Sequence, residues 1–473
     1  MEKIEETALV DYWNFVEGFR GKKGLGMGDI RAYISAQVDL EILEYEVKKR
    51  NEIVEILEKV LKNSPKNDLI NNYKDTLKKW ENADKELLTF YSSKIKGNGF
   101  KIGEKLAKND YKSISLFSGS YGLDMGFKYA GFESRVALDI DKASKEIINA
   151  NLPNLPFIHE DIKNVTVKEI LDTAGLDKGE TDVLTGGPPC QPFSTAGKRK
   201  GLNDPRASPL REYVRVIKEA QPKIFVMEEV TGLLNARLKH VSIKDRGDRC
   251  LLPEEESGSV WKIILEELKS TGYKIQFEVV NAADYGTPQK RQRVILIGIR
   301  PDIKAKAPFI PTPTHKKPNL SSLVKATPWI PLLDSIMGTE IGELQPLSPK
   351  YQKYMPYVPP GGNWRQLPEE LQEEAMNKAY HAGGGKMGFY RRLSWFEPSP
   401  TLVTSPTMKS TMMIHPWENR PLSVNEYKLI QGFPLDWKVP GAISTQYRKL
   451  GEAVPPTLSY AIAKKVMKLL EYA

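Results

Sequence analysis

The residue of the sequence best suited to covalent chemistry is Cys190, which lies in the segment GGPPCQPFSTAGKRKG. The preceding segment, DVLTGG, is typical of a short apolar strand, and Pro188 and Pro189 restrict the backbone directly after it. A thiol on such a turn is presented to a substrate, whereas a structural cysteine is usually buried among apolar residues. The other cysteine, Cys250, lies in the charged segment KDRGDRCLLPEEE. The sequence therefore predicts that Cys190 is a nucleophile.

Four basic residues follow this cysteine, namely Lys198, Arg199, Lys200 and Arg206. Side chains of this kind contact the phosphates of nucleic acids, although a solvated basic loop has the same composition. The formal net charge of the chain is +9, which fits a polyanionic partner and a lysine-rich solvated surface equally well. Because the basic residues come directly after the candidate nucleophile, we predict that they contact phosphate.

A carboxylate pair and an arginine pair could assist chemistry on a nucleic-acid base. The apolar segment KIFVMEEV ends in Glu228 and Glu229, and a carboxyl group there can hydrogen-bond to a ring nitrogen and an exocyclic amine. Such glutamates are otherwise often helix caps or solvated charges. Arg291 and Arg293 alternate in QKRQRVILIGI and therefore share one face of a strand. An arginine can bind a base carbonyl and offset developing negative charge, and a structural salt bridge is the alternative.

The segment SISLFSGSYGLDMG predicts a strand, a turn and a helix, a typical setting for a cofactor. Gly119 and Gly122 allow a ligand to approach the backbone closely. Asp139 ends the next strand about twenty residues later, where a carboxylate holds a ribose diol. The alternative role for Asp139 is to cap the following helix, and Asp141 could do that instead. Asp161 follows a third strand. Because no GKS or GKT sequence is present, these strand ends predict a nucleotide-type site that is not a phosphate-binding loop.

These segments belong to an alternation of apolar strands and helical stretches over residues 109–305. The alternation predicts an α/β domain with a mostly parallel sheet and helices on both faces, whose active site lies at the carboxyl ends of the strands. Residues 1–108 have apolar residues at helical spacing and predict a helical extension. Residues 306–420 are rich in proline and predict a small separate domain, and residues 421–473 predict helices that return to the main domain.

The composition excludes several classes of protein. The chain has 473 residues, of which 40% are hydrophobic, but it has no apolar run of about 18 residues that could span a membrane. The N-terminal sequence MEKIEETALVDYW lacks the basic start and apolar stretch of a signal peptide. Two cysteines and five histidines cannot form a disulfide framework or a zinc cluster. We therefore expect a soluble cytoplasmic protein without a membrane or metal partner.

Together these segments resemble the motifs of DNA (cytosine-5)-methyltransferases of the bacterial restriction–modification type. The resemblance covers roughly residues 111–305 and 390–473, in the order found in that family. FSGSYG resembles its cofactor loop, GGPPCQPFSTAGKRKG its nucleophile loop and QKRQR its paired-arginine motif. RRLSWFEPSPTLVTSP and RKLGEAVPPTLSYAIA resemble its last two motifs. The combination of PPCQ with QKRQR a hundred residues later is highly specific.

The resemblance implies methyl transfer from S-adenosylmethionine to carbon 5 of cytosine in double-stranded DNA. Carbon 5 is a poor nucleophile until a thiolate adds to carbon 6, and the resemblance gives this role to Cys190. It implies that Glu228 contacts nitrogen 3 and the amine, that Arg293 contacts the carbonyl oxygen, and that Pro189 and Arg291 shape the base pocket. The family flips its target base out of the duplex, and its small domain reads sequence in the major groove.

The resemblance also implies the residues that bind the two substrates. The predicted cofactor-binding residues are Phe117, Gly119, Gly122, Asp139, Ile140, Asp161, Ile162, Glu452 and Ala453. The predicted DNA-binding residues are Gln191, Ser194, Lys198, Arg199, Lys200, Arg206 and Trp364. The last of these lies in the GGNW segment, and Trp364 could equally form the core of the small domain together with Tyr351, Tyr354 and Tyr357. The resemblance further implies a monomer that is paired functionally with a restriction endonuclease.

Three positions depart from the family's motifs. Tyr121 stands where the family usually has glycine, and Glu229 and Glu452 stand where it usually has asparagine. An ionised carboxylate accepts hydrogen bonds but cannot donate them as an amide does. We expect Glu229 to lie behind the nucleophile loop, where its negative charge raises the pKa of the Cys190 thiol and slows the reaction. Glu452 could favour the sulfonium cation or perturb the cofactor site, and the sequence leaves both possibilities open.

Two other functions are compatible with the same motifs. A tRNA cytosine-5 methyltransferase shares them, although the long proline-rich segment before RRLSW favours recognition of a DNA sequence. Residues 1–108 could also form a DNA-binding autoregulatory module, since GKKGLGMGDIRAYI contains basic residues and a turn. That segment has no convincing recognition-helix pattern.

Overall fold

The structure is a computed structural model, and parts of the chain lie outside its described residues. The described residues are 109–189, 208–239, 241, 251–306, 308–317, 327–336, 339–381, 386–395 and 397–473. The predicted helical extension of residues 1–108 falls outside them, and so do Cys190, Cys250 and the basic segment that follows Cys190.

The chain divides into two compact units. In the part of the chain that the structure describes, the first, which we call the sheet unit, comprises residues 109–314 and 431–473, and the second, the small unit, comprises residues 315–430. The strands of the sheet unit are β1 (Lys112–Leu116), β2 (Glu133–Leu138), β3 (Phe157–Ile158), β4 (Val183–Gly186), β5 (Ile224–Val230), β6 (Lys274–Asn281), β7 (Gln289–Lys290) and β8 (Gln292–Ile299).

Among these described strands, seven form one sheet in the order β3-β2-β1-β4-β5-β8-β6. The five strands from β3 to β5 are mutually parallel, β8 runs antiparallel to β5, and β6 runs antiparallel to β8. This arrangement confirms the predicted α/β fold with a mostly parallel sheet. The order reverses between β1 and β4, and ligands of such sheets bind at the carboxyl ends of the strands beside this reversal.

The sequence predicts the strands that are buried on both faces, because these strands have continuous apolar runs. All four residues of β4 are buried, and so are Ile224 to Met227 of β5, because central parallel strands are covered on both faces. β6 lies at the sheet edge, and its Lys274 and Glu278 are exposed. It therefore lacks the apolar run of a central strand, and the sequence analysis did not predict it.

The helices are α1 (Gly122–Tyr129), α2 (Lys142–Asn151), α3 (Val167–Ala174), α4 (Ser208–Ala220), α5 (Ser259–Lys269), α6 (Leu332–Ile336), α7 (Pro349–Gln352), α8 (Glu369–Met376), α9 (Val424–Gln431), α10 (Ile443–Glu452) and α11 (Pro456–Leu470). The sequence predicts α9 and α11 correctly as helices. The C-terminal α11 packs against α1, and the hydroxyl of Ser459 donates a hydrogen bond to the carbonyl oxygen of Leu123. The C-terminal segment thus returns to the helix that follows the predicted cofactor loop, as the order of the motifs implies.

The small unit has little regular structure and is organised around buried side chains. Its short strands are β9 (His315–Lys316), β10 (Thr327–Pro328) and β11 (Ser399–Pro400). Arg392, which is 3% exposed, donates hydrogen bonds to the carbonyl oxygens of Val358 at 2.7 Å, Met355 at 2.9 Å and His415 at 3.0 Å. One buried guanidinium therefore ties Arg392 to two segments that are distant in sequence, one at residues 355–358 and one at His415.

Two features relevant to function are missing from the described residues. None of the described helices combines the length and the apolar character needed to cross a membrane. The same residues contain no cluster of three or more histidine, cysteine, aspartate or glutamate side chains that could hold a metal ion.

Candidate active site

The strand that leads to Cys190 ends beside Glu228. In the parallel pair of β4 and β5, Gly186 is in register with Met227. The next residue, Gly187, therefore lies next to Glu228, and a Cβ atom at Gly187 would be 3.2 Å from the carboxylate Oε2. Pro188 is buried and Pro189 is exposed. Cys190 itself lies outside the described residues.

Glu228 forms a salt bridge with Arg293. The Nε atom of Arg293 donates to Oε1 of Glu228 at 2.6 Å, and each side chain is only 12% exposed. The antiparallel register of β5 and β8, which pairs Val230 with Arg293, brings the two residues together. The salt bridge that the sequence analysis considered for an arginine is thus present, and it joins two residues predicted to contact the base. Because a guanidinium has five donors, Arg293 keeps donors for a ligand.

Arg291 is one of the most buried side chains of the sheet unit, with 1% exposure. Its Nη2 atom donates to the carbonyl oxygens of Gly451 at 2.9 Å and Glu452 at 3.4 Å. Burial, together with the nearby charge of Arg293, lowers the pKa of Arg291 well below its usual range. Arg291 therefore connects the start of β8 to the end of α10, which suits a residue that shapes a pocket.

The predicted cofactor loop is held by Asp139. Phe117 and Gly119 have positive φ angles of 55° and 54°, and the Gly119 N–H donates to Asp139 Oδ2 at 2.8 Å. The other oxygen of Asp139 accepts from the N–H of Asp141 at 2.7 Å, and Asp141 in turn accepts from Ala143 as the cap of α2. Helix capping, the structural alternative for Asp139, is therefore performed by Asp141.

The ends of β2 and β3 provide a surface that fits a nucleoside. Ile140 lies two residues after the buried end of β2 and is 64% exposed, so it offers an apolar contact beside the Asp139 carboxylate. Asp161 follows β3 and forms a salt bridge with Lys163 at 2.9 Å. Ile162 was also predicted to bind the cofactor, but unlike Ile140 its side chain is only 3% exposed and packs in the core. Asp139 and Asp161 offer carboxylates, Ile140 offers an apolar side chain, and the glycines of the loop allow a ligand to approach the backbone. These features suit the adenosine part of S-adenosylmethionine.

The segment Glu452–Val454 lies against the start of α1. A Cβ atom at Gly122 would clash with the carbonyl oxygen of Val454 and lie 3.3 Å from the Cβ atom of Ala453. The Ala453 carbonyl accepts a hydrogen bond from the Gln431 side chain. The structure thus brings Glu452 and Ala453, both predicted from the last motif, next to the predicted cofactor loop.

Glu452 belongs to a cluster of charged side chains. Its Oε2 atom is 3.5 Å from Nη1 of Arg448, and its side chain is half-exposed. Asp141 accepts from Arg448 at 2.8 Å and from Lys449 at 2.7 Å. Burial raises the pKa of Glu452, and the two cations oppose this shift. The carboxylate of Glu452 therefore has a cation of the protein as its neighbour.

Tyr121 adopts the backbone conformation that glycine favours. Its φ of 68° places it in the left-handed region, at a cost of about 1–2 kcal/mol for a residue with a Cβ atom. Its buried ring stacks on Trp437 with 6.1 Å between the centroids, and its hydroxyl shares a hydrogen bond with Ser134. The packing of this ring offsets the backbone strain.

Trp364 requires a correction, because it was predicted to bind DNA. Its side chain is 8% exposed and lies in the core of the small unit, where its ring packs edge-on against Tyr380 at 5.9 Å between centroids. A side chain buried in this way supports a surface and does not offer one. The other predicted DNA contacts, which lie outside the described residues, are Gln191, Ser194, Lys198, Arg199, Lys200 and Arg206.

The sequence analysis also missed Asp124. This residue is 3% exposed, and its carboxylate lies between hydroxyl groups of β1 and β4 at the reversal of the sheet order. The signal available in the sequence was a charged residue within the predicted helix, because the neighbours of Asp124 in GLDMG are glycines and apolar residues that pack inward.

The close contact at Gly122 leads to a prediction for stability. A Gly122→Ala variant is expected to lose about 1–3 kcal/mol of unfolding free energy, because the new methyl group meets the backbone of Val454. Gly232→Ala is the matched control, since a Cβ atom there meets nothing within 4 Å. Thermal unfolding of both variants measures the difference, and equal midpoints would contradict the packing described for Gly122.

Comparisons with known proteins give similarities along most of the chain. The model of the family described as "C-5 cytosine-specific DNA methylase" matches residues 111–468. The type II methyltransferase M.PspPI of Psychrobacter sp. is 40% identical over 365 residues, which are 77% of this chain and 80% of that protein. The type II methyltransferase M.Sau96I of Staphylococcus aureus is 35% identical over 433 residues, which are 90% of each chain.

A solved structure is similar in fold. It is the crystal structure of a DNA modification methyltransferase encoded within a prophage of E. coli. The TM-score is 0.53, the sequence identity is 22%, and the match covers 76% of this chain and all of the other.

Proposed function

The chain belongs to the family of C-5 cytosine-specific DNA methylases, and from this premise we propose how its residues methylate a cytosine in DNA. The family uses S-adenosylmethionine, which supplies an electrophilic methyl group when it is bound. The observation that carries the proposal is the position of the Glu228–Arg293 salt bridge, which lies beside Gly187, three residues before Cys190. A carboxylate that is paired with a guanidinium thus lies beside the strand end that leads to the thiol.

We propose that the Cys190 thiolate adds to carbon 6 of a flipped cytosine. The sulfur–carbon bond forms while the electrons of the double bond between carbons 5 and 6 move to carbon 5, which then takes the methyl group. Loss of the proton from carbon 5 restores the double bond and expels the thiolate. The net change replaces the hydrogen on carbon 5 by methyl, releases that hydrogen to solvent as a proton, converts S-adenosylmethionine to S-adenosylhomocysteine and regenerates the free enzyme.

Glu228 and Arg293 are proposed to hold the cytosine during this addition. A hydrogen bond from a carboxyl group to ring nitrogen 3 withdraws electrons and makes carbon 6 easier to attack. A guanidinium donor to the carbonyl oxygen stabilises the charge that develops on the ring. The 2.6 Å contact between the two side chains supports this assignment, because groups that bind adjacent edges of one ring must lie close together.

DNA binding is proposed to involve both the basic residues after Cys190 and the small unit. Of the four arginines in residues 315–430, Arg392 is 3% exposed, Arg420 is 13% exposed and pairs with Glu426, and burial lowers the pKa of Arg391. The remaining one, Arg365, is exposed and lies over the buried ring of Trp364 at 5.7 Å. We propose Arg365, in place of Trp364, as the DNA-contacting residue of this segment.

We further propose that the enzyme protects host DNA, as a cytoplasmic monomer, from a partner restriction endonuclease. The relatives in Psychrobacter and Staphylococcus aureus support this role, because both are named type II methyltransferases. The match to a family of DNA methylases favours DNA over tRNA as the substrate.

The proposal is tested with purified protein, S-adenosylmethionine and either duplex DNA or tRNA. Bisulfite sequencing of the duplex is expected to show 5-methylcytosine at one recurring sequence, and tRNA is expected to stay unmodified. Methylation of tRNA alone, or of cytosines without a shared sequence, would contradict the proposed substrate and the proposed sequence specificity respectively.

Glu229 provides a separate prediction about the rate. Its side chain is 4% exposed at the end of β5, next to the strand that leads to Cys190. A Glu229→Asn variant is expected to methylate DNA several-fold faster near neutral pH, because removing a negative charge lowers the pKa of a neighbouring thiol. The rate is measured against pH, and the wild-type profile is expected to rise at higher pH than that of the variant. A variant no faster than the wild type at any pH contradicts the expected effect.

A further inference from the structure

Asp124 is a buried carboxylate without a role in the chemistry described above. It lies in the first turn of α1 and is 3% exposed. The hydroxyl of Ser115 in β1 donates to its Oδ2 atom at 2.6 Å, and the hydroxyl of Thr185 in β4 donates to its Oδ1 atom at 2.5 Å. Ser115 and Thr185 are direct partners in the parallel pair of β1 and β4. The carboxylate therefore bridges the two strands where the strand order of the sheet reverses.

The same hydrogen bonds extend to the third strand of the cofactor site. The hydroxyls of Ser115 and Ser118 are 2.9 Å apart, and Ser118 Oγ accepts from the N–H of Leu138 at the end of β2 at 3.2 Å. Leu138 directly precedes Asp139, which holds the Gly119 N–H. A continuous network thus runs from the end of β2, through the cofactor loop, to β4.

The two ends of this network lead to different substrates. β1 and β2 are directly followed by the predicted cofactor residues Phe117 and Asp139, whereas β4 ends at Gly186, four residues before Cys190. Asp124 is the group that accepts hydrogen bonds from both sides, and each of its oxygens serves one side. A shift of either strand end would lengthen one of the two short hydrogen bonds.

We propose that Asp124 is a positioning residue that couples the S-adenosylmethionine site to the loop that carries Cys190. The inference rests on the proposed function, since it takes the cofactor and nucleophile assignments from there. Occupation of the cofactor site and the placement of the nucleophile loop are then linked through the ionised carboxylate, which alone can accept from both hydroxyls.

The electrostatic surroundings are consistent with this role. Among the described residues, the titratable groups that interact electrostatically with Asp124 are the hydroxyls of Tyr121, which precedes α1, and Tyr213 of α4, and both are neutral at physiological pH. Burial raises the pKa of Asp124 to about 6, and the donors Ser115 and Thr185 oppose the shift. The carboxylate is therefore ionised at neutral pH and becomes protonated as the pH falls through about 6.

The variant that tests the coupling most specifically is Thr185→Val, which removes only the donor on β4. Calorimetric titration with S-adenosylmethionine in the absence of DNA is expected to give a Kd about 5-fold weaker than wild type, although Thr185 is not on a strand that holds the cofactor. Asp124→Asn keeps the size of the side chain but accepts with one atom only, so its Kd is expected to be about 10-fold weaker. The double variant is expected to match Asp124→Asn, because both changes break one network.

Two controls separate coupling from folding and from the proposed chemistry. Asp172→Asn changes an exposed carboxylate of α3 that pairs with Lys168, and its Kd is expected to equal that of the wild type. The wild-type Kd is expected to weaken as the pH falls from 7 to 5, and that of Asp124→Asn is expected to change less. If Thr185→Val and Asp124→Asn bind S-adenosylmethionine with a stoichiometry below one and an unchanged Kd, the substitutions have only reduced the amount of folded protein. That result would overturn the coupling.

A Thr185→Val variant that binds S-adenosylmethionine as tightly as the wild type would also overturn it. Because these titrations contain no DNA, their outcome does not depend on whether Cys190 is the nucleophile. Failure of the proposed function would instead appear as a wild-type enzyme that binds the cofactor but forms no 5-methylcytosine.

Discussion

A Cys190→Ser variant is expected to lose methylation of DNA by about 10⁴-fold or more, as enzymes do when their nucleophile is removed. A serine hydroxyl is almost entirely protonated at neutral pH, and it is a far weaker nucleophile toward carbon 6 than a thiolate. The assay is incorporation of labelled methyl groups into duplex DNA by purified protein. Binding of S-adenosylmethionine is expected to stay within about 2-fold of wild type, because the change replaces one atom in a side chain that is not among the predicted cofactor residues and leaves both hydrogen bonds of Asp124 in place.

The chain contains its own matched control, since Cys250 is its only other cysteine. A Cys250→Ser variant is expected to keep full activity, and treatment with a thiol reagent is expected to inactivate it as it does the wild type. Activity lost in Cys250→Ser and kept in Cys190→Ser would reverse the assignment.

A Glu228→Gln variant is expected to lose about 10²–10⁴-fold in kcat, the usual contribution of a positioned acid or base. The amide cannot supply a proton to ring nitrogen 3, and it also leaves the Arg293 guanidinium without its ion pair at 2.6 Å. A loss of about 1–3 kcal/mol in unfolding free energy is expected to accompany the change, because both side chains are mostly buried. Single-turnover rates with saturating DNA and cofactor measure kcat independently of binding.

The control for this variant is Glu278→Gln, which changes an exposed glutamate on the edge strand β6. It is expected to leave both kcat and the unfolding midpoint unchanged. A Glu228→Gln enzyme that retains more than half of the wild-type kcat would show that this carboxyl group only supports the fold.

The central strands and the order of the site residues could be predicted because they depend on local sequence. Buried strand segments such as β4 and the first four residues of β5 require uninterrupted apolar runs, and parallel strands place their carboxyl ends at one edge. The distinction between Asp139 and Asp141 was also local, because a helix cap must come directly before the helix that it caps.

Other features depend on partners that are distant in sequence. The sequence predicts Glu228 and Arg293 as separate site residues, but their contact depends on the antiparallel register of β5 and β8. The sequence left open whether Trp364 contacts DNA or lies in the core of the small domain, because nothing nearby in sequence shows that it packs against Tyr380. The ring of Trp437 that covers Tyr121 is more than three hundred residues away, and Asp124 owes its importance to Thr185, sixty-one residues later.

The most direct test of the covalent mechanism is to trap the bond to Cys190. A duplex that the enzyme methylates is copied with 5-fluorocytosine in place of cytosine and incubated with the enzyme and S-adenosylmethionine. Fluorine cannot leave carbon 5 as a cation, so the thiolate is not expelled after methyl transfer and the adduct persists. Peptide mass spectrometry is predicted to find the methylated, fluorinated base attached to the peptide that contains Cys190. Attachment at Cys250, or turnover of the wild-type enzyme on ordinary DNA without any adduct on the fluorinated duplex, would contradict the account.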